Sequence, residues 1–442
     1  MNKRYESFRE IAASWEGNQT PALLFAAEDG SKEPAALSYD ALRTQILAEE
    51  ARHRAEAGES GVPEAFVLSA PQGCGPDVLV TLFARVMAGG DVIMADPMMP
   101  KEALEKARQG LALDLRGREP GGEGRICFFT SGTTSQSRCV ILTSRALSIC
   151  AWSGQSMLPC APGDIMLSIL PLSHVFGFVC SMLWGLCYGA AVALGRGPRH
   201  FMDDPAFFRP TILPAVPTIV AMLERFGLLN PELAVILIGA APCEPALAAR
   251  IQARGIRVYL GYGLTETASG LAITQDQDDL FAAAPCPGAD IRVDEDGEIS
   301  VATPSMMEGY LGEPSPLRDG RFYTGDIGWF DERGWLHLSG RRKDVLVLPD
   351  GTKIFCPEYE KTLTEALGTG ELAVAARQGR AVLILGADAE VDDPRVMTAL
   401  DAFNASKDRS RQITDVIRLD RKLPRTAVGK LQRWKLDEYI AQ

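Results

Sequence analysis

Apolar runs of strand length alternate with helix-period stretches along most of the chain. AFVLSA (65–70) predicts a strand, VLVTLFARVMAG (78–89) a helix, DVIMA (91–95) a strand and ALEKARQG (103–110) a helix. The rhythm returns through RICFF (125–129), TIVAMLERFG (218–227), AVILIG (234–239), PALAARIQARG (245–255) and RVYLGYG (257–263). Strands fed by helices imply mostly parallel sheets covered by helices, an α/β fold. After about residue 285 short strands and turns take over. ADIRVDEDGEISVAT turns at Glu295-Asp296-Gly297, and GWFDERGWLHLSG reads as a hairpin around Glu332-Arg333-Gly334. Past Asp344 a last segment carries its own strands and helices: VLVL, EYEKTLTEAL, RAVLILG and PRVMTALDAFNA. The expected organisation is a large N-terminal domain, 1–343, of mostly parallel sheets under helices with a small β subdomain. A small mobile α+β C-terminal domain, 344–442, follows. Gly110 to Gly124 is the most linker-like interior stretch, and no internal repeat or low-complexity tract is visible.

Val175 to Gly195 is free of charge and long enough to span a bilayer. Gly185, Gly189 and Gly195 interrupt it, and Tyr188-Gly189 reads as a turn before AAVAL. A buried helix followed by a buried strand is therefore expected, and no transmembrane segment. MNKRYESFRE has no apolar stretch behind its basic residues, which argues against a secretory signal and for a cytoplasmic protein.

Composition narrows the chemistry. The 442 residues carry 46% hydrophobic and 23% charged positions, as a globular protein does, and the net charge is -12. An acidic surface repels phosphate backbones, so nucleic acid is not an expected partner; a locally positive pocket for ATP stays open. The ten cysteines form no CxxC pair, and Cys127, Cys180 and Cys187 sit in apolar runs. That suits buried free thiols in a reducing compartment. The four histidines, at 53, 174, 200 and 337, are too scattered for a zinc site built with cysteines.

FFTSGTTSQSRCV (128–140) follows a strand and packs hydroxyls and glycines into a few residues. Such a loop can turn backbone N–H groups and hydroxyls toward one centre, which suits a polyphosphate, although flexible loops share this composition. It is not a Walker loop: no G-x-x-x-x-G-K-[ST] occurs in the chain. GTGELA (368–373) fits a loose dinucleotide pattern but follows a helix-like stretch, so it reads as chance.

Read with its neighbours, the loop resembles the phosphate loop of the adenylate-forming (AMP-binding) superfamily, which includes acyl-CoA synthetases, peptide-synthetase adenylation domains and luciferases. The resemblance spans nearly the whole chain and keeps the family's motif order. LPLSHVFGF (170–178) is similar to the acyl-pocket motif. AVPT (215–218) and IGAAPCEPAL (238–247) match segments before the adenine site, and GYGLTET (261–267) the adenine and metal motif. YTGDIGWFDERGWLHLSGRRKD (323–344) resembles the ribose and hinge motifs, and LPRTAVGKLQR (423–433) the catalytic-lysine motif.

The resemblance implies ATP-dependent conversion of a carboxylic acid to an acyl-adenylate, with Mg²⁺ as the metal. A carboxylate is a poor electrophile, and the mixed anhydride with AMP makes it a good one. Donors and a cation that hold two anions together supply the catalysis. Thr130, Ser131, Gly132, Thr133 and Thr134 would bind the β- and γ-phosphates, and Thr265 the α-phosphate. Glu266 would hold Mg²⁺, a hard cation that prefers oxygen. Tyr262, flanked by Gly261 and Gly263, would stack on adenine, with Gly239, Ala240 and Ala241 lining the base. Asp326 would accept from the ribose hydroxyls with Arg341 beside it. Lys430 would bridge the α-phosphate and the acyl carboxylate, and His174 would sit at that carboxylate.

The family loop usually continues Gly-x-Pro-Lys-Gly, whereas this chain has Ser135-Gln136-Ser137-Arg138-Cys139. Arg138 keeps the charge on a planar fork instead of a point cation. The resemblance further implies a hinge at Asp344, with Gly351 near the path of an incoming pantetheine thiol. The acceptor would be coenzyme A or an acyl carrier protein. LPLSHVFGF lacks the aspartate that pairs with an amino acid's ammonium, and Val175, Phe176, Phe178 and Val179 suit an alkyl or aryl tail. SGRRKDVLVLPDGTKIFCPEYE (339–360) is most like fatty acyl-CoA synthetases, so a medium- or long-chain fatty acid is expected, with an aryl acid as runner-up. A carrier-protein loading enzyme and a catalytically weak binding protein are the competing readings.

Overall fold

The computed structural model describes residues 3–27, 31–57, 64–114, 121–130, 138–425 and 431–440. The chain is α/β, as the alternation predicts, and clusters into two compact units. The first holds residues 1–292, 300–323 and 330–337; the second holds 293–299, 324–329 and 338–442.

In the first unit the larger sheet runs in the order Ala35–Ser38, Pro21–Phe25, Ala191–Leu194, Ile165–Ser168, Ile212–Ala215, Val235–Ile238, Arg257–Leu264, Ser269–Thr274, Ala282–Pro285. From Pro21–Phe25 to Arg257–Leu264 every pairing is parallel. The outer pairings are antiparallel. VILI (235–238) and its neighbour Ile212–Ala215 are buried throughout, as a parallel strand covered on both faces must be. Leu213, Ile236 and Val258 pack against Val220, Leu247 and Ile251 of the helices Pro217–Arg225 and Pro245–Gln252. Pro217 and Pro245 start those helices at a position where no backbone donor is needed.

The strand order reverses at one place. From Ile165–Ser168 the chain goes to Ala191–Leu194 on one side, then crosses to Ile212–Ala215 on the other. In an open parallel sheet this switch point leaves a crevice at the carboxyl ends of the strands, where ligands bind.

A second sheet of the same unit has the order Phe66–Ser69, Val92–Ala95, Arg125–Phe129, Cys139–Thr143, Gly309–Tyr310. The first three strands are parallel and the last two pairings antiparallel. An ion pair is sealed at its base: Arg125 Nη2 lies 2.7 Å from Asp91 Oδ2, with side chains 1% and 0% exposed. The same guanidinium donates to the Asp114 carbonyl at 2.8 Å.

The charge-free stretch from Val175 is a buried helix and strand, as expected. It comprises an α-helical turn (Val175–Phe178), a π-helical turn (Val179–Leu183) and another α-helical piece (Trp184–Tyr188) before the strand Ala191–Leu194. Gly189 ends the helix at φ +87°. Gly185, expected to interrupt the run, stays inside the helix; without a Cβ it lets Val192 close to 2.9 Å of where one would lie. Among the described residues no helix is long and apolar enough to cross a membrane. The linker expected from Gly110 is likewise shortened, because the helix Lys101–Leu113 includes Gly110 and packs it against Leu311.

In the second unit Val345–Val347 and Lys353–Phe355 form a hairpin. Leu372–Arg377, Arg380–Leu385 and Ile413–Arg418 form a sheet covered by the helices Cys356–Leu367 and Asp393–Asn404. Leu363, Leu367, Leu383, Val396 and Leu400 fill the space between them. GTGELA begins at Gly368, the left-handed cap that ends a helix (φ +72°), so its glycines do not open a phosphate turn.

Candidate active site

The phosphate-loop candidate hangs from the second sheet. The strand Arg125–Phe129 delivers Thr130, and Cys139–Thr143 resumes after Arg138. The neck is closed by two bonds: Thr130 N donates to the Arg138 carbonyl at 2.9 Å, and Arg138 N to Thr130 Oγ1 at 3.2 Å. Ser131, Gly132, Thr133 and Thr134 lie outside the described residues.

The remaining candidates of the first unit gather at carboxyl ends of parallel strands. Gly239 follows Val235–Ile238, and a Cβ there would meet the Phe176 ring at 2.9 Å. Ala240 is exposed at φ +64°, a left-handed conformation rare outside glycine, and Ala241 is exposed beside it. Gly261 continues the neighbouring strand and packs on Leu237. Tyr262 is buried, and a bulge falls between it and Gly263. A Cβ on Gly263 would fall on the Ser269 carbonyl, so only glycine allows the two strands to close there. Next comes a tight 3₁₀ turn, Thr265–Thr267, followed by Ala268 at φ +57° and Ser269 at φ +110°. Such strain collects at ligand sites.

Thr265 and Glu266 project from that turn, both half-buried. Glu266 Oε1 accepts the Tyr310 hydroxyl at 2.7 Å, and the Glu266 carbonyl accepts Met307 N at 2.8 Å. The carboxylate is a hard oxygen donor of the kind Mg²⁺ takes, so the residues present fit that ion. Tyr310 escaped the sequence reading. It stands on the edge strand Gly309–Tyr310, opposite Val140, and its available signal was an aromatic in Glu308-Gly309-Tyr310 with no motif attached.

His174 lies on the loop that leaves Ile165–Ser168 at the switch point. It is exposed and precedes the helical turn Val175–Phe178, not in the core as a lone histidine in an apolar stretch often is. Beside it, the Ser173 hydroxyl is buried and makes no hydrogen bond among the described residues. The π-helical turn that follows gives Val179 and Cys180 to the wall of a cavity of about 30 Å³, lined also by Cys150, Trp184, Leu237 and Ile273 among others, without a charged side chain. Burial pushes the Cys180 thiol up to about 11 and that of Cys286, also in the wall, up to about 12, so both stay neutral.

In the second unit Asp326 is buried with its Oδ1 2.7 Å from Arg341 Nε. This brings together the two residues assigned to the ribose. Gly351 turns the hairpin at φ +83°, its N–H donating to the Leu348 carbonyl at 2.9 Å. Asp344 Oδ1 accepts Arg433 Nε at 2.9 Å, and Arg433 also pairs with Glu360. Lys430 lies outside the described residues.

Three known proteins give this arrangement a context. A family model described as AMP-binding enzyme matches residues 123–311. A 2-succinylbenzoate–CoA ligase of Listeria monocytogenes serotype 4b (strain F2365) is 30% identical over 332 residues, which cover 70% of this chain and 69% of that one. A long-chain-fatty-acid–CoA ligase of Bacillus subtilis (strain 168) is 27% identical over 358 residues, 72% of this chain and 62% of that one. The solved structure of the Bacillus subtilis o-succinylbenzoate coenzyme A synthetase with ATP and magnesium ion superposes with a TM-score of 0.76. It is 21% identical, and the match covers 98% of this chain and 100% of that one. The same enzyme with its acyl-adenylate intermediate gives the same TM-score.

Proposed function

Because the chain belongs to the AMP-binding enzyme family of the adenylate-forming superfamily, and is an AMP-forming acid–thiol ligase, we propose that it activates a carboxylic acid with an uncharged apolar tail and passes the acyl group to coenzyme A. The observation that carries this reading is the linked set of contacts at the carboxyl ends of the first unit's strands. Arg138 touches Tyr310, Tyr310 holds Glu266, and Glu266 follows the strand on which Gly261 faces the Gly239 shelf under Phe176.

In the first half-reaction a carboxylate oxygen of the acid attacks the α-phosphorus of ATP in line. The bond to the bridging oxygen breaks and pyrophosphate leaves. Thr130, with Ser131, Gly132, Thr133 and Thr134, holds the β- and γ-phosphates; Thr265 donates to the α-phosphate. Mg²⁺, held by Glu266, neutralises phosphate charge when bound. Tyr262 and the Gly239–Ala241 shelf take the adenine. Asp326, paired with Arg341, accepts from the ribose hydroxyls. Lys430 supplies the cation between the α-phosphate and the acyl carboxylate, near which His174 stands. In the second half-reaction the coenzyme A thiol attacks the acyl carbon and AMP departs, with Gly351 on the thiol's side. Domain 344–442 turning about Asp344 would exchange Lys430 for that hairpin.

The uncharged cavity walled by Val179 and Cys180 supports an apolar tail. A dicarboxylic acid such as 2-succinylbenzoate would need a cation there for its second carboxylate, because a buried unpaired charge is costly. The fatty-acid reading draws on the apolar 170–179 segment and the 27% identical relative. An aryl acid is the second reading, supported by the 30% identical 2-succinylbenzoate–CoA ligase; at about 30 Å³ the cavity must widen for either kind of tail. Mass spectrometry of reactions containing ATP, MgCl₂, coenzyme A and a panel of fatty, aryl and dicarboxylic acids tests the proposal. An acyl-CoA from an uncharged-tail acid is expected. A product only from dicarboxylic acids would refute the tail assignment; in parallel reactions with a phosphopantetheinylated carrier protein in place of coenzyme A, thioester formed only there would refute the acceptor.

A further inference from the structure

Arg138 stands where the family resemblance leads one to expect a lysine, and its surroundings show what the fork touches. Its guanidinium lies 4.7 Å from the centroid of the Tyr310 ring and 3.5 Å from Glu313 Oε2, with the side chain 49% exposed. Tyr310 is 2% exposed, and its hydroxyl reaches inward to Glu266 Oε1 at 2.7 Å. The backbone fixes all three members. Leu311 N donates to the Cys139 carbonyl at 2.9 Å, Glu308 N to that of Ile141 at 2.9 Å, and Met307 N to that of Glu266 at 2.8 Å. One short segment, 307–311, thus spans from the phosphate-loop neck to the Thr265–Glu266 turn. A carboxylate oxygen can only accept, so in this contact the phenol is the donor.

We propose that Tyr310 is a positioning residue for Glu266, and that Arg138 acts through Tyr310: the phenol fixes one carboxylate oxygen so that the other faces the metal of a bound Mg·ATP, and the guanidinium clamps the phenol in place. A planar guanidinium stacks on an aromatic face where an ammonium is a compact, strongly hydrated point charge. The arginine is therefore fitted to this clamp. The inference rests on the adenylation reading, which assigns Glu266 to the metal.

The test is calorimetric titration of ATP, without acid or coenzyme A, in EDTA and over a series of MgCl₂ concentrations. Tyr310→Phe removes only the hydroxyl. It should raise the MgCl₂ concentration that half-saturates the metal-dependent gain in ATP affinity about tenfold, the worth of a hydrogen bond to a charged group. ATP affinity in EDTA should stay the same. Arg138→Lys, at an exposed position, should raise that concentration about threefold by loss of the stack. It should add nothing in a Tyr310→Phe background, because both changes break one chain of contacts. Unchanged Mg²⁺ dependence in Tyr310→Phe, with thermal melting showing it folded, would overturn the proposal. Additive effects in the double variant would overturn Arg138's part. If Tyr310→Phe does not fold, Arg138→Lys and Arg138→Ala decide alone: unchanged Mg²⁺ dependence in both overturns the clamp. A wild-type protein without Mg²⁺-dependent ATP binding would overturn the adenylation reading itself, and the inference with it.

Discussion

Glu266 offers two oxygens with different surroundings: one is taken by Tyr310, and the other makes no hydrogen bond among the described residues. Glu266→Gln keeps the shape and the Tyr310 contact but removes the charge. Loss of one preorganised electrostatic group should lower kcat for adenylation about 10²-fold or more, read by AMP release, with the melting temperature unchanged. Gly263→Ala should instead fail at folding, since its Cβ collides with the Ser269 carbonyl; low soluble yield or a lowered melting temperature checks this. Much at this scale was legible because motifs are local. Thr265 and Glu266 share one turn, and the Asp326–Arg341 pair forms as the ribose motif implies. Tyr310 was not legible. Its importance comes from the pairing of Gly309–Tyr310 with Cys139–Thr143, a contact across more than half the chain's motifs that no spacing encodes.

The strand that delivers Thr130 is anchored by an ion pair far more buried than Thr130 itself. Asp91→Ala would leave the Arg125 guanidinium sealed with its main partner gone, which costs about 3–5 kcal/mol. Urea unfolding should show that loss as a lower midpoint with an unchanged slope. The parallel strands were readable from their unbroken apolar runs, and the helices from their period. The π-helical turn Val179–Leu183 was not, since nothing in VCSML breaks a helical pattern. In the fold Ser181 Oγ donates to the Gly177 carbonyl at 2.5 Å, four residues back, and meets Ser168 Oγ on the neighbouring strand at 2.9 Å, a contact set by the sheet and not by local propensity. Gly185 was misread for a related reason. A glycine looks like a breaker in sequence, yet here it is the place where Val192 packs on the helix.

Across the whole molecule the α/β class and the order of motifs were legible, because the motifs at 170–178, 215–218, 238–247 and 261–267 sit at strand ends and strands alternate regularly with helices. The substrate was not, because the wall of the cavity comes from segments as distant as Cys150, Leu237 and Cys286. The two proposed half-reactions give the molecule-scale prediction. Lys430→Ala should abolish adenylation, measured as pyrophosphate release, while acyl-CoA still forms from supplied acyl-adenylate. Equal loss of both would contradict the exchange of Lys430 for the Gly351 hairpin. The central claim is that the first unit's crevice makes an acyl-adenylate. Acid-dependent exchange of labelled pyrophosphate into ATP, without coenzyme A, measures that step alone. The account predicts exchange with at least one uncharged-tail acid, lost in Glu266→Gln; no exchange with any fatty or aryl acid would contradict it.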